Sequence, residues 1–249
     1  MSVKVMSQNA MCWEEAEVGT YARRDPLMKK ALTEHGADVI GLQEVTPRWK
    51  EFLRTALPDF EHLLVYRSES DLEGTPIYWN PKTLTALESG HFWLSETPEV
   101  SSLGWDARHP RIACWVLFEE KESGKRFAFV NTHLDHRGEQ ARQNGIRQVC
   151  DFVKEKFGNM PLVLTGDFNA RPDSPTIVTA NSLLKDARGA AEESDGGITF
   201  HGFQKKADCI IDYIYLSRDI KCARFERIIE TDGAAVQSDH YGIMATIEL

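Results

Sequence analysis

Asp167 and Asn169 stand two residues apart at the end of the apolar run Pro161-Leu162-Val163-Leu164-Thr165-Gly166. A carboxylate and a carboxamide at the mouth of a buried strand can serve a ligand, or can simply make a tight turn. The same choice recurs along the chain. Asn9 closes residues 3–8, Glu44 closes 38–43, and Asn131 with His133 closes the run from 127. Asp212 lies within the apolar segment 209–216, and Asp239-His240 precedes the last one, 243–249. Each alone fits a strand end, a solvent-facing acid or a core imidazole. Jointly they are the residue types that bind a hard cation and move protons.

Glu44 and Asp239, with the amide oxygen of Asn9, form an oxygen donor set, which favours Mg²⁺ or Mn²⁺ over zinc. A set this sparse leaves room for water and a phosphate oxygen. Asp167 and His240 are titratable groups that could activate water or hold phosphoryl oxygens. Asp212, on an apolar strand, could fix the tautomer of His240.

These residues need strands to carry them. Residues 3–8 alternate towards Asn9, and 38–44 run apolar to Glu44. Asp25-Pro26 predicts a helix start with Leu27, Met28, Ala31 and Leu32 on one face and Gly36 as its C-cap. Thr46-Pro47 predicts a second helix, with Trp49, Phe52, Leu53 and Leu57 inward. Residues 62–92 read as short strands around Gly74-Thr75-Pro76 and Asn80-Pro81. Residues 112–118 and 127–132 read as a hairpin, followed by a long amphipathic helix over 139–157. Ser174-Pro175 caps a further helix. Strands spaced by both helices and hairpins predict an α/β protein with mixed sheets. No repeat, low-complexity tract or long linker divides the chain, so a single domain over 1–249 is expected.

The composition narrows the partners. A net charge of −9 and a pI near 5.4 argue against a surface that grips a long polyanion. They leave open a small phosphate ester, which needs only a metal and one or two arginines. Cys12, Cys114, Cys150, Cys209 and Cys222 are odd in number and lack a Cys-x-x-Cys pair, which suggests neither a disulfide framework nor zinc. Reduced, buried thiols in a cytoplasmic setting are expected. No leader pattern or membrane-spanning apolar stretch is visible.

Six segments then stand in a recognisable order: Gln8-Asn9, Gln43-Glu44-Val45, Asn131-Thr132-His133-Leu134, Gly166-Asp167-Phe168-Asn169, Asp212-Tyr213-Ile214 and Ser238-Asp239-His240. The chain thereby resembles the endonuclease/exonuclease/phosphatase superfamily, the deoxyribonuclease-I-like group, from residue 9 to residue 240. Residues 92–98, 110–113 and 135–142 further resemble a bacterial and fungal branch of that superfamily. The resemblance implies a four-layer sandwich of two mixed β-sheets flanked by helices. It also implies Mg²⁺-dependent cleavage of a phosphate ester. Glu44, Asn9 and Asp239 match metal-site positions, and Asp167 matches the residue that activates water. Asn169 and His133 match phosphate contacts, His240 the transition-state stabiliser and Asp212 its orienting partner. One departure is Met11, where many members carry an acidic or basic residue; it implies one fewer ligand and argues against a second metal.

A small or nucleotide-like phosphoester is the expected substrate, with Arg111 and Arg137, and Arg142 nearby, as candidates to neutralise its phosphate. Arg111 could equally form a surface ion pair. The aromatic loop from Phe92 to Trp105 could wall the substrate or only cover the surface. A nuclease or lipid phosphodiesterase is the alternative, and a binding module without catalysis is a third. Loss of catalysis would be expected to show at Glu44, Asp167 or His240, and all three are intact.

Overall fold

The computed structural model describes residues 2–17, 19–204 and 208–249. In chain order it runs β1 (Ser2–Asn9), α1 (Tyr21–Thr33), β2 (Val39–Gln43), α2 (Pro47–Ala56), β3 (Glu61–Leu63), β4 (Ile77–Trp79), β5 (Leu84–Trp93), β6 (Ile112–Glu120) and β7 (Arg126–His133). There follow α3 (Glu139–Phe157), β8 (Leu162–Asp167), α4 (Pro175–Leu183), β9 (Lys185–Asp186), α5 (Ala187–Ala190), β10 (Glu193–Ser194), β11 (Asp212–Leu216), β12 (Lys221–Ile228) and β13 (Gly242–Glu248).

The strands form a seven-stranded sheet, β10-β12-β13-β1-β2-β4-β3, and a six-stranded sheet, β5-β6-β7-β8-β11-β9. Both are mixed, with β1 parallel to β2 and β7 parallel to β8 among antiparallel neighbours. The layering follows from the two-residue period of a strand. Val5, Val39 and Ala245 face Phe129, Val163 and Ile214 of the other sheet, which makes the central core. Their neighbours Met6, Ile40 and Met244 face outward onto Met28 and Leu32 of α1 and Trp49 and Leu53 of α2. Ala128, Val130 and Leu164 face outward onto Ile146, Val149 and Val153 of α3. Four layers result, as the resemblance implies. Because every central strand is buried on both faces, polar side chains can gather only at strand ends.

Asn131 is an exception, and it joins the sheets. Its Oδ1 accepts from Gln43 Nε2 at 2.7 Å and Thr165 Oγ1 at 3.0 Å, and its Nδ2 donates to Leu42 O at 2.7 Å. Gly41 makes room for it, since a Cβ there would lie 2.5 Å from Asn131 Oδ1. Thus Asn131 is a buried tie between layers, spent on structure.

Some boundaries differ from the sequence reading. Helix α1 begins at Tyr21, which leaves Pro26 inside it, and it ends before Gly36. An internal proline forgoes one helical bond. The buried Arg24 offsets this by donating to the carbonyls of Ala10, Met11 and Trp13, which anchors the first turn from outside the helix. Asp212 opens β11 instead of lying within it, because Thr199 Oγ1 takes the N–H groups of Ile211 and Asp212 at 3.1 Å each. Residues 84–93 form one long strand with a bulge between Ala86 and Glu88. The five cysteines are free as expected, but only Cys114 and Cys222 are fully buried. Among the described residues no helix is long and apolar enough to cross a membrane.

Candidate active site

Strands β1, β2, β7, β8 and β11 deliver their polar ends to one edge of the sandwich, where a cavity of about 440 Å³ opens. Glu44, Asp167, Asp239, His133, His240 and Asn169 all line it. Two of these residues hold left-handed backbone: Glu44 at φ 61° just past β2, and Asn169 at φ 48° just past β8. Such conformations cost energy in non-glycine residues and are kept where surrounding bonds over-determine them. Here Glu44 Oε1 and Oε2 accept from Asn9 Nδ2 at 3.1 Å and Cys12 N at 2.8 Å. The Asn169 amide donates to Leu134 O at 3.1 Å.

Asp167 is the hub. Its Oδ1 accepts from Asn169 N at 2.8 Å, and its Oδ2 accepts from Asn9 Nδ2 at 3.0 Å. The same Oδ2 lies 3.6 Å from His133 Nε2 and 3.8 Å from His240 Nε2. Burial raises the Asp167 pKa above the usual carboxylate range; the His240 charge opposes this, and the Asp212 charge adds to it.

The two imidazoles are shifted in opposite directions. Burial alone would lower His240, but the charge and hydrogen bond of Asp212 carry it well above the ordinary imidazole value. His133 is lowered well below that value, first by burial and then by the Arg111 charge. Protonation is thus favoured at His240 and disfavoured at His133. Behind His133 stands Glu73, with Oε1 3.3 Å from Nδ1.

The acids also crowd one another. Asp239 is raised by burial first and, among its neighbours, by the charge of Glu44. Ligand atoms of Glu44, His133 and Asp167 fall within 4.8 Å of one another, and so do those of Asp167, Asp212 and His240. Asp239 belongs to neither group. These acidic and histidine groups could hold a divalent cation. Asn9 departs from expectation: its amide nitrogen bridges Glu44 and Asp167, while its Oδ1 accepts from Met11 N at 2.8 Å. In this conformation it offers no oxygen to a metal.

The arginines also divide. Arg111 lines the cavity and is only 5% exposed, so it is not a surface ion pair. Its Nε lies 3.3 Å from Asp135 Oδ2. Arg137 is exposed and is not among the residues lining the cavity; its own N–H, with that of Gly138, donates to Asp135 Oδ1. The Arg142 guanidinium is taken up by Asp135 O and Glu139 Oε2. The loop from Phe92 to Trp105 walls a separate groove against α3, since the Phe92 ring packs 4.5 Å from Phe152.

Sequence reading missed Trp13, Arg67, Glu73, His109, His136 and Phe200, all of which line the cavity. Glu73 arrives through a paired bridge between Gly74 and Val45, beside the exit of β2. Only the turn signal at Gly74-Thr75-Pro76 hinted at this segment.

An endonuclease/exonuclease/phosphatase from Bacteroides vulgatus superposes with a TM-score of 0.93 at 31% identity, over 100% of this chain and 99% of that one. A mannosyl-6-phosphatase from Bacteroides thetaiotaomicron gives 0.88 at 28% identity, over 99% and 100% of the two chains. Nocturnin of Drosophila melanogaster is 28% identical over 184 residues, 68% of this chain and 27% of that protein. The chain spans less than two thirds of the length of the first curated relatives it matches. The sequence model described as "Endonuclease/Exonuclease/phosphatase family" matches residues 27–240. With that match over most of its length, the chain belongs to the endonuclease/exonuclease/phosphatase family.

Proposed function

We propose that this chain is a divalent-metal-dependent phosphoesterase that cleaves a compact phosphate ester by attack of a water activated by Asp167. The observation that carries the reading is the position of Asp167 Oδ2, between the imidazoles of His133 and His240 at 3.6 and 3.8 Å. A buried carboxylate with raised proton affinity suits a general base near neutral pH. His240, kept protonated by Asp212, is placed to donate to a phosphoryl oxygen as negative charge gathers there. Neutral His133 and the Asn169 amide would orient the phosphate. Glu44 and Asp239 would hold Mg²⁺ or Mn²⁺, and Asn9 could join them only with its amide turned over. Bound there, the cation would polarise a phosphoryl oxygen and relieve the acid crowding.

Compactness rests on the size of the cavity, about 440 Å³, and on the net charge of −9. The likeness to the mannosyl-6-phosphatase supports a small phosphoester. The test is hydrolysis of p-nitrophenyl phosphate and bis-p-nitrophenyl phosphate, with Mg²⁺ or Mn²⁺ and with a chelator. Turnover that needs the metal on at least one of the two is expected. Turnover of neither, or turnover indifferent to chelator, overturns the reading.

A further inference from the structure

One wall of the cavity contains two arginines and two histidines, yet carries little uncompensated positive charge. Arg67 binds Glu73 Oε1 and Asp71 Oδ2 at 2.6 Å each. Arg111 lies 3.3 Å from Asp135 and 3.6 Å from the same Glu73. Two guanidinium groups thus face three carboxylates. The His109 ring is 3.4 Å from Asp71 and lies 5.6 Å from His136 at a tilt of 32°, and burial holds the His136 imidazole towards the neutral form. A second phosphate would meet acids that already balance the arginines. What the wall offers is donors and acceptors side by side, the pattern that suits hydroxyl groups, which do both. Arg111 Nη1 makes no hydrogen bond within the protein and has only the Glu73 carboxylate near it, at 3.6 Å, so this pairing is loose.

Trp13 borders the same cavity and is 49% exposed. Its backbone is fixed: the carbonyls of Ala10, Met11 and Trp13 accept from Arg24, and that of Cys12 accepts from Tyr21 Oη at 2.7 Å. A large indole left in solvent on a pinned backbone is a ready platform for the apolar face of a ring.

We infer that the leaving group is an uncharged, hydroxylated ring, as in a sugar phosphate monoester, with Trp13 as its platform and the wall from Arg67 to His136 reading its hydroxyls. The inference rests on the phosphoesterase reading above and names its substrate class. Trp13 is the specificity-determining residue, because it contacts the part of the substrate that does not react.

The test is steady-state kinetics with Mg²⁺ on a hexose 6-phosphate, a hexose 1,6-bisphosphate, a nucleoside 5′-monophosphate and ethyl phosphate. The hexose 6-phosphate should exceed ethyl phosphate in kcat/KM by at least about tenfold, and should exceed both other probes. Trp13→Ala should shrink the hexose-to-ethyl ratio about tenfold, chiefly through KM, and Trp13→Phe should keep it within about threefold. Equal use of the hexose and ethyl esters, a preference for the bisphosphate or the nucleotide, or an unchanged ratio in Trp13→Ala overturns the inference. Cleavage of bis-p-nitrophenyl phosphate with no monoester turned over overturns it while leaving a phosphoesterase in place. No metal-dependent hydrolysis of any ester overturns both.

Discussion

His240 Nδ1 lies 2.9 Å from Oδ2 and 3.1 Å from Oδ1 of Asp212, so both carboxylate oxygens address one ring nitrogen. The other nitrogen, Nε2, is left facing Asp167 across the cavity. If the pair acts as one unit, Asp212→Ala and His240→Ala combined should cost about as much kcat as His240→Ala alone. A double-mutant cycle measures this, and fully additive losses would mean that the two act independently.

Asp167→Asn keeps the shape and the bonds at Oδ1 but removes the base. We expect kcat to fall by roughly 10²–10⁴-fold with KM little changed. Near-normal turnover would assign water activation to another group.

Metal dependence should track Glu44. Glu44→Gln should raise the Mg²⁺ concentration for half-maximal activity by about an order of magnitude or more. An unchanged metal titration would remove Glu44 from the site.

Asp135 should matter to stability. Although burial pushes its carboxyl upward, the N–H groups of Gly138 and Arg137 at 2.9 Å hold its pKa well below the usual range. A depressed folded-state pKa stabilises the native protein above the unfolded value, near pH 4, and that contribution is lost as pH falls through the folded value. Asp135→Asn should therefore lower stability at pH 7 by about 1–3 kcal/mol. The gap to the native protein should narrow below about pH 4. Urea melts across pH check this, and a gap that widens on acidification would contradict it.

Salt separates a compact ester from a polymer. For a compact substrate, kcat/KM should fall only modestly between 50 and 200 mM salt. Gripping 6–10 phosphates would instead lose about 10³–10⁵ in affinity over that range. A slope of that steepness, with processive cutting of an oligonucleotide, would favour a nuclease.

The amino-acid sequence by itself determined the elements and the chemistry that sits on their ends. Apolar runs such as 162–166 can only be buried strands, so Asp167 and Asn169 had to emerge where the sheet stops. The same logic placed Glu44, because strand ends are set by local patterning, whereas the start of β11 at Asp212 was fixed by Thr199 from outside the segment. What lay beyond local patterning was decided by the tertiary structure. Asn131 has the same look as Asn9 in the sequence, but it is consumed between the sheets, because Gly41 opposite it leaves room there. Arg111 and Arg137 are equally basic, yet the Asp135 turn buries one in the cavity and leaves the other in solvent. Glu73 and Trp13 sit in loops without periodicity. They reach the cavity only through the Val45–Gly74 bridge and the Arg24 anchor, long-range contacts that no short window of sequence records.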